Sequence, residues 1–269
     1  MEFIRRFWES RGSEHGTAPS ASWEDTGCIA LEIETLADIL PHRARLLDVG
    51  CANGHATFEI APKVEAAEVV GVDYSEKMIE AARRRLIEER RVKEERLSGG
   101  DETPAIPMRF EVADVRNLPF DDHVFDAVYG TRVLINLPTW EEQQGAIEQM
   151  LRVCRPGGRV VLMEAFYEPL ARLNAARLVA GLAPLAEHDF NRYLKEDRLS
   201  SWLKAKGLSF SVRPFSGLYY VGTRLLRELV SGEPIEGYRS PLHDAFLDVE
   251  QRYDVAPFSV QQAVTIERS

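Results

Sequence analysis

Two carboxylates, Asp48 and Asp73, and the glycines Gly50 and Gly54 between them make a set that could hold a ligand. The apolar pair Leu46-Leu47 runs into Asp48-Val49-Gly50-Cys51-Ala52-Asn53-Gly54, and a helix-like segment opens at His55. Glycines in such a turn admit positive φ and let a ligand come against the main chain, where a side chain would block it. Roughly twenty residues further on, Val69-Val70-Gly71-Val72 ends in Asp73, placed where a carboxylate can accept hydrogen bonds from both hydroxyls of a ribose. A nucleoside-bearing ligand suits this pattern; a tight strand-to-helix turn with no ligand is its plain structural alternative.

Such groups converge only if parallel strands carry them, and the downstream sequence supplies the strands. A third apolar run over 108–113 ends at Asp114. A fourth, over 124–130, follows Leu118-Pro119-Phe120-Asp121. A helix end at Met150-Leu151-Arg152-Val153 and a Pro156-Gly157-Gly158 turn then lead to a fifth, Arg159-Val160-Val161-Leu162, ending near Glu164. In this order the elements resemble the class I S-adenosylmethionine-dependent methyltransferase family over about residues 44–165. The resemblance implies an α/β fold: a Rossmann-like, doubly wound, mostly parallel seven-stranded sheet with helices on both faces.

It also implies roles. Asp48, Gly50, Cys51, Ala52, Asn53 and Gly54 would hold the methionine part of S-adenosylmethionine, and Asp73 its ribose. Tyr74 and Met78 would flank the adenine, and Asp114 with Val115 would read its amino edge. Thr131 and Arg132 stand where the family places cofactor and substrate contacts. One departure is Ala52, at the middle glycine of the family's usual Gly-x-Gly-x-Gly. A nicotinamide-dependent dehydrogenase is the rival, but it wants Gly-x-Gly-x-x-Gly opening the helix to seat a pyrophosphate. Asp48 would sit badly beside that anion and suits the ammonium of a methionine moiety.

The rest of the chain divides around this core. Residues 1–40 read as an N-terminal arm and an amphipathic helix over the cofactor site, with Ile29, Ile33, Leu36 and Leu40 at helical spacing before Pro41. Residues 41–165 are the cofactor-binding core. Within it, a helix capped by Ser75 runs to about residue 91 and a polar loop covers 92–107. Residues 166–193 form an insertion, 194–215 a core helix and strand, 216–257 a second insertion, and 258–269 the last core strand. Both insertions read as a cap over the acceptor site, or as the surface of a homodimer.

A hydroxyl or protonated amine must lose a proton when methylated, which invites a general base. His188, beside Asp189, is the first candidate; His15 and Glu164 follow. Asn136, Asn191, Tyr219 and Tyr220 are further candidates for contact with the acceptor, and each could equally serve packing. No cluster of acids and histidines stands at ligand spacing, so no metal is expected.

At 269 residues and 45% hydrophobic composition the chain can bury a full core. A formal net charge of -10 argues against a nucleic-acid groove, and the basic stretch Arg83-Arg84-Arg85 is interleaved downstream with glutamates. The cysteines (Cys28, Cys51, Cys154) have no paired spacing, and no apolar run reaches the roughly twenty residues of a membrane span, so a reducing, cytoplasmic setting is expected. The resulting expectation is O-methylation of a small molecule, leaving S-adenosylhomocysteine. N- or C-methylation, a non-catalytic S-adenosylmethionine-binding protein and a protein or RNA acceptor are the alternatives.

Overall fold

The computed structural model describes residues 2–97, 105–187, 190–231, 237, 240–250, 252–253 and 256–268, with the backbone alone at 93, 94, 96 and 97. Its strands are β1 (Arg45–Val49), β2 (Glu68–Asp73), β3 (Met108–Val112), β4 (Phe125–Thr131), β5 (Cys154–Ala165), β6 (Ser209–Pro214) and β7 (Gln261–Glu267). They form one sheet in the order β3-β2-β1-β4-β5-β7-β6, parallel from β3 through β5, with β7 antiparallel to both β5 and β6. The expected mostly parallel, seven-stranded α/β sheet is therefore the observed one. Because β1, β2 and β4 are apolar on successive residues, both of their faces must be covered by helices.

The helices do this from two sides. On one face α2 (Thr26–Ile39) and α3 (His55–Lys63) pack Leu36, Ile60 and Ala61 against Leu46 and Val69. On the other, α5 (Trp140–Val153) buries Ile147 and Met150 against Leu47 and Val128. Sequence capping sets the starts: Asp25 accepts from the Cys28 N–H at 3.0 Å and Thr139 from that of Glu142 at 3.2 Å.

The strand order reverses between β1 and β4, where the loops after β1, β2 and β4 meet outside the carboxyl ends of the strands. Gly50 is obligatory there. Its φ is +72°, and a Cβ would lie 2.3 Å from Val133 Cγ2 of the loop after β4.

Two elements differ from the sequence expectation. The helix after β2, α4 (Glu76–Leu97), runs past residue 91, because Val92 to Leu97 contain no breaker before Ser98-Gly99-Gly100. The expected polar loop thus starts later, and 98–104 lie outside the described residues. The Pro156-Gly157-Gly158 turn is looped out within β5, since Phe125 pairs with Cys154 but Ala127 with Arg159.

Ahead of the sheet, α1 (Glu2–His15) lies across the start of α4. The Glu9 carboxylate accepts from the backbone N–H groups of Glu76 and Lys77 at 2.9 and 3.3 Å, capping α4 from another helix. Asn53 Nδ2 donates to the carbonyls of Gly16 and Ala18 at 2.9 and 2.7 Å, tying down the chain that follows α1.

After β5 come α6 (Tyr167–Val179) and α7 (Glu196–Ala205). After β6, α8 (Gly217–Val221) continues through a π-helical turn at 222–226 into α9 (Arg227–Ser231), and α10 (Pro241–Glu250) lays Phe246 against Gly222. Among the described residues, no helix is long and apolar enough to cross a membrane.

Candidate active site

A cleft of about 110 Å³ opens at the reversal of strand order. Gly50 and Ala52 line it from the turn after β1, Asp73 and Tyr74 from the end of β2, Asp114 and Val115 from beyond β3, and Thr131 and Arg132 from the end of β4. Asp73 occupies its edge, its carboxylate accepting from the Ala52 N–H at 2.9 Å and the Ser75 N–H at 2.8 Å. Burial pushes this carboxyl up to about 6 against the pull of those donors. Burial also pushes Asp114 upward, but three bonds from the Arg116 side chain, at 2.7 to 3.1 Å, outweigh it and hold the group below its usual range.

The other residues that the resemblance implicates do not line the cleft. Asp48 is only 3% exposed and takes the Thr57 hydroxyl at 2.6 Å, with burial raising its pKa to about 7. Cys51 is buried toward Gly71, its thiol pushed up by desolvation. Asn53 fastens the arm. Gly54, at φ +76°, starts α3 against the Phe110 ring. Met78 is fully buried in α4, its backbone close against Gly12 of α1.

In exchange, α1 supplies Ile4 and Trp8 to the cleft, and Ser22, Val49, Ala113, Val133 and Leu137 complete it. Phe3, Phe7 and Trp8 lie in this helix, which is part of the arm that the sequence reading sets over the cofactor site.

A second cavity, of about 410 Å³, adjoins the first and shares Trp8, Ser22, Arg132 and Asn136 with it. Asn191 and Tyr220 line it, together with Trp23, Phe190, Tyr193 and Arg224. Arg132 has φ +55° and is fixed in that strained conformation: its N–H donates to the Met163 carbonyl at 2.7 Å and its carbonyl accepts from Asn136 Nδ2 at 2.6 Å.

Glu164, Tyr219 and His15 line neither cavity. Glu164 is 1% exposed and collects the N–H groups of Val133, Leu134 and Ile135 at 2.9, 2.8 and 3.3 Å. It shapes the loop after β4 from behind, and burial raises its pKa to about 8. The Tyr219 hydroxyl donates to Asp25 at 2.5 Å, and His15 closes α1. His188, the first candidate for a base, lies outside the described residues. Among the described residues no group of histidine, cysteine and acidic side chains is arranged to hold a metal ion.

A methyltransferase domain family model matches residues 46–158. The demethylmenaquinone methyltransferase of Clavibacter sepedonicus is 30% identical over 184 residues, covering 61% of this chain and 65% of that protein. The 27-O-demethylrifamycin SV methyltransferase of Amycolatopsis mediterranei is 29% identical over 214 residues, 68% of this chain and 71% of that protein. A solved S-adenosylmethionine-dependent methyltransferase from Thermotoga maritima superposes with a TM-score of 0.57 over 99% of this chain and 100% of that one, a likeness of fold at 14% identity. The reversal of strand order between β1 and β4, the glycine turn and Asp73 at the cleft agree with these matches, and the chain is similar to class I S-adenosylmethionine-dependent methyltransferases in the domain over residues 46–158 and in its fold.

Proposed function

We propose that this protein transfers a methyl group from S-adenosylmethionine to a hydroxyl oxygen of a small molecule, releasing S-adenosylhomocysteine. The observation that carries the reading is the second cavity, walled by aromatic rings and joined to the cofactor cleft at Trp8, Arg132 and Asn136. A cavity of about 410 Å³ suits a small acceptor rather than a nucleic acid or a protein chain. The insertions after β5 and β6, which supply Leu170, Phe190, Tyr193, Tyr220 and Arg224 to its wall, act as the cap. The rifamycin relative, named for a 27-O-demethyl substrate, supports oxygen as the acceptor atom.

When bound, S-adenosylmethionine supplies a methyl group already activated on a sulfonium. The chain's own work is then placement. Asp73 accepts the ribose hydroxyls, a fit supported by a half-buried carboxylate at the cleft, each of whose oxygens takes one backbone N–H and has a further lone pair to offer. The main chain at Gly50 and Ala52 lets the methionine part close in, and Tyr74 and Val115 bracket the adenine. Arg132, Asn136 and Trp8 border both cavities and align the acceptor with the methyl group, an effect worth about 7–11 kcal/mol when complete.

The test is incubation of the protein with isotopically labelled S-adenosylmethionine and a panel of hydroxylated, amino and activated-methylene small molecules. Label found on oxygen in a purified product supports the reading. Label on nitrogen or carbon overturns O-methylation, and no turnover despite tight S-adenosylmethionine binding favours a non-catalytic role.

A further inference from the structure

The acceptor cavity has two arginines mounted in the same way. Arg224, its side chain 11% exposed, is paired with the fully buried Asp25, which also takes the Tyr219 hydroxyl, and its guanidinium lies 4.2 Å from the centre of the Tyr220 ring. Arg132, its side chain 14% exposed, is paired with Glu32, donates to Ser22 Oγ at 3.3 Å, and lies 4.8 Å from the centre of the Trp23 ring. Both arginines line the cavity, whereas their partners Asp25 and Glu32 do not; the carboxylate that does line it, Glu24, is paired with Arg11 at 3.4 Å. Each ion pair therefore presents its positive end to whatever enters, and each guanidinium is held rigid by a buried carboxylate and a stacked ring. Arg224 belongs to the π-helical turn at 222–226, a helix irregularity that recurs at functional sites.

Aromatic side chains share the cavity with these cations. Trp8, Trp23, Phe190, Tyr193 and Tyr220 line it and offer flat faces to a planar ring. Resting on the small-molecule methyltransferase reading, we propose that Arg224 and Arg132 form an oxyanion site that binds the acceptor as the anion of an aromatic hydroxyl. On binding, the hydroxyl O–H bond breaks, its proton passes to bulk water and the oxygen keeps the electron pair. Two fixed positive groups lining the cavity make that ionisation easier, so the protein can prepare a nucleophilic oxygen without a dedicated base.

The test uses 7-hydroxycoumarin, a flat phenol whose fluorescence distinguishes its neutral and ionised forms, with 7-methoxycoumarin and 2-naphthoate as companions. Each is titrated into protein saturated with S-adenosylhomocysteine, whose own binding is measured by calorimetry in the same samples. The expected result is that bound 7-hydroxycoumarin ionises at least about one pH unit lower than the free dye. The methoxy compound should bind about tenfold or more weakly, and Arg224→Gln should abolish the shift. Because Arg224→Gln strands the Asp25 charge, the double variant Asp25→Asn with Arg224→Gln is measured alongside Arg132→Gln; retained S-adenosylhomocysteine binding reports an intact fold. Equal binding of the hydroxy and methoxy compounds, no binding of the phenol, or a shift that survives in all the variants overturns the proposal. Tighter binding of 2-naphthoate than of the phenol overturns it in favour of a carboxylate ligand. Failure of wild-type protein to bind S-adenosylhomocysteine would instead sink the methyltransferase reading on which the proposal rests.

Discussion

Asp73 can hold ribose hydroxyls well only while it is ionised, and burial has brought its pKa to about 6. S-adenosylhomocysteine should therefore bind with constant affinity above pH 7 and weaken about tenfold per unit as the pH falls below 6. Asp73→Asn should bind weakly and show no such slope; calorimetry at pH 5, 6 and 7.5 decides, and a wild-type affinity flat across that range would refute the assignment. Ala52, whose N–H Asp73 accepts, carries a second residue-scale cost in its methyl group. Its φ of +48° is a left-handed conformation that disfavours any side chain by about 1–2 kcal/mol. Ala52→Gly should accordingly raise the stability by about 1 kcal/mol or somewhat less, with cofactor binding kept, as read from urea unfolding. The sequence exposed both positions because the need for a carboxylate or a glycine there is local. It did not expose Arg224 and Asp25, which lie 199 positions apart and meet only through the fold.

At the scale of elements, two buried polar side chains set the shape of the cavities by holding backbone. Glu164, at the end of β5, gathers three N–H groups of the loop after β4, and this loop carries Arg132 and Asn136 into both cavities. Above pH 8, where Glu164 is ionised, Glu164→Gln exchanges one acceptor oxygen for a donor facing those N–H groups and should cost about 1–3 kcal/mol of stability, measurable by thermal melting. Asn53 does the same for the arm through the carbonyls of Gly16 and Ala18. Asn53→Ala should leave the sheet folded and speed proteolysis within residues 16–22, with S-adenosylhomocysteine giving less protection than in wild type; unchanged cleavage would show that the Arg85 bond to the Thr17 carbonyl suffices. Strands and sheet helices were legible because periodicity and capping residues are carried within each element. The helices of the two insertions were harder to place, since their apolar residues answer to partners far along the chain: Gly222 is covered by Phe246, and Glu250 accepts from the backbone N–H groups of Gly217 and Tyr219 at 3.0 and 2.7 Å.

At the scale of the whole molecule, the carboxyl ends of the strands gather buried acids whose pKa values are all raised. Asp73 stands at about 6, Asp48 at about 7 and Glu164 at about 8, with burial the largest cause for each. In the unfolded chain all three titrate near pH 4. Between about pH 4 and each folded value, the native state holds a proton that the unfolded state has lost, so stability falls as pH rises. That decline is complete near pH 6 for Asp73, near 7 for Asp48 and near 8 for Glu164, each contributing a slope of up to about 1.4 kcal/mol per unit while it lasts. The formal charge of -10 acts in the same direction, because self-repulsion grows as carboxyls ionise. The opposite sign holds in acid: Asp114, kept low by Arg116, loses its contribution as it is protonated. The protein without cofactor should therefore melt highest near pH 5 and progressively lower toward pH 8. Asp48→Asn should flatten the part of the curve between pH 5 and 7, since a neutral side chain has no proton to lose. A melting temperature that climbs from pH 5 to 8 would mean that these acids are ionised throughout, and that the strand ends form a charged cleft rather than a partly neutral one awaiting its ligand.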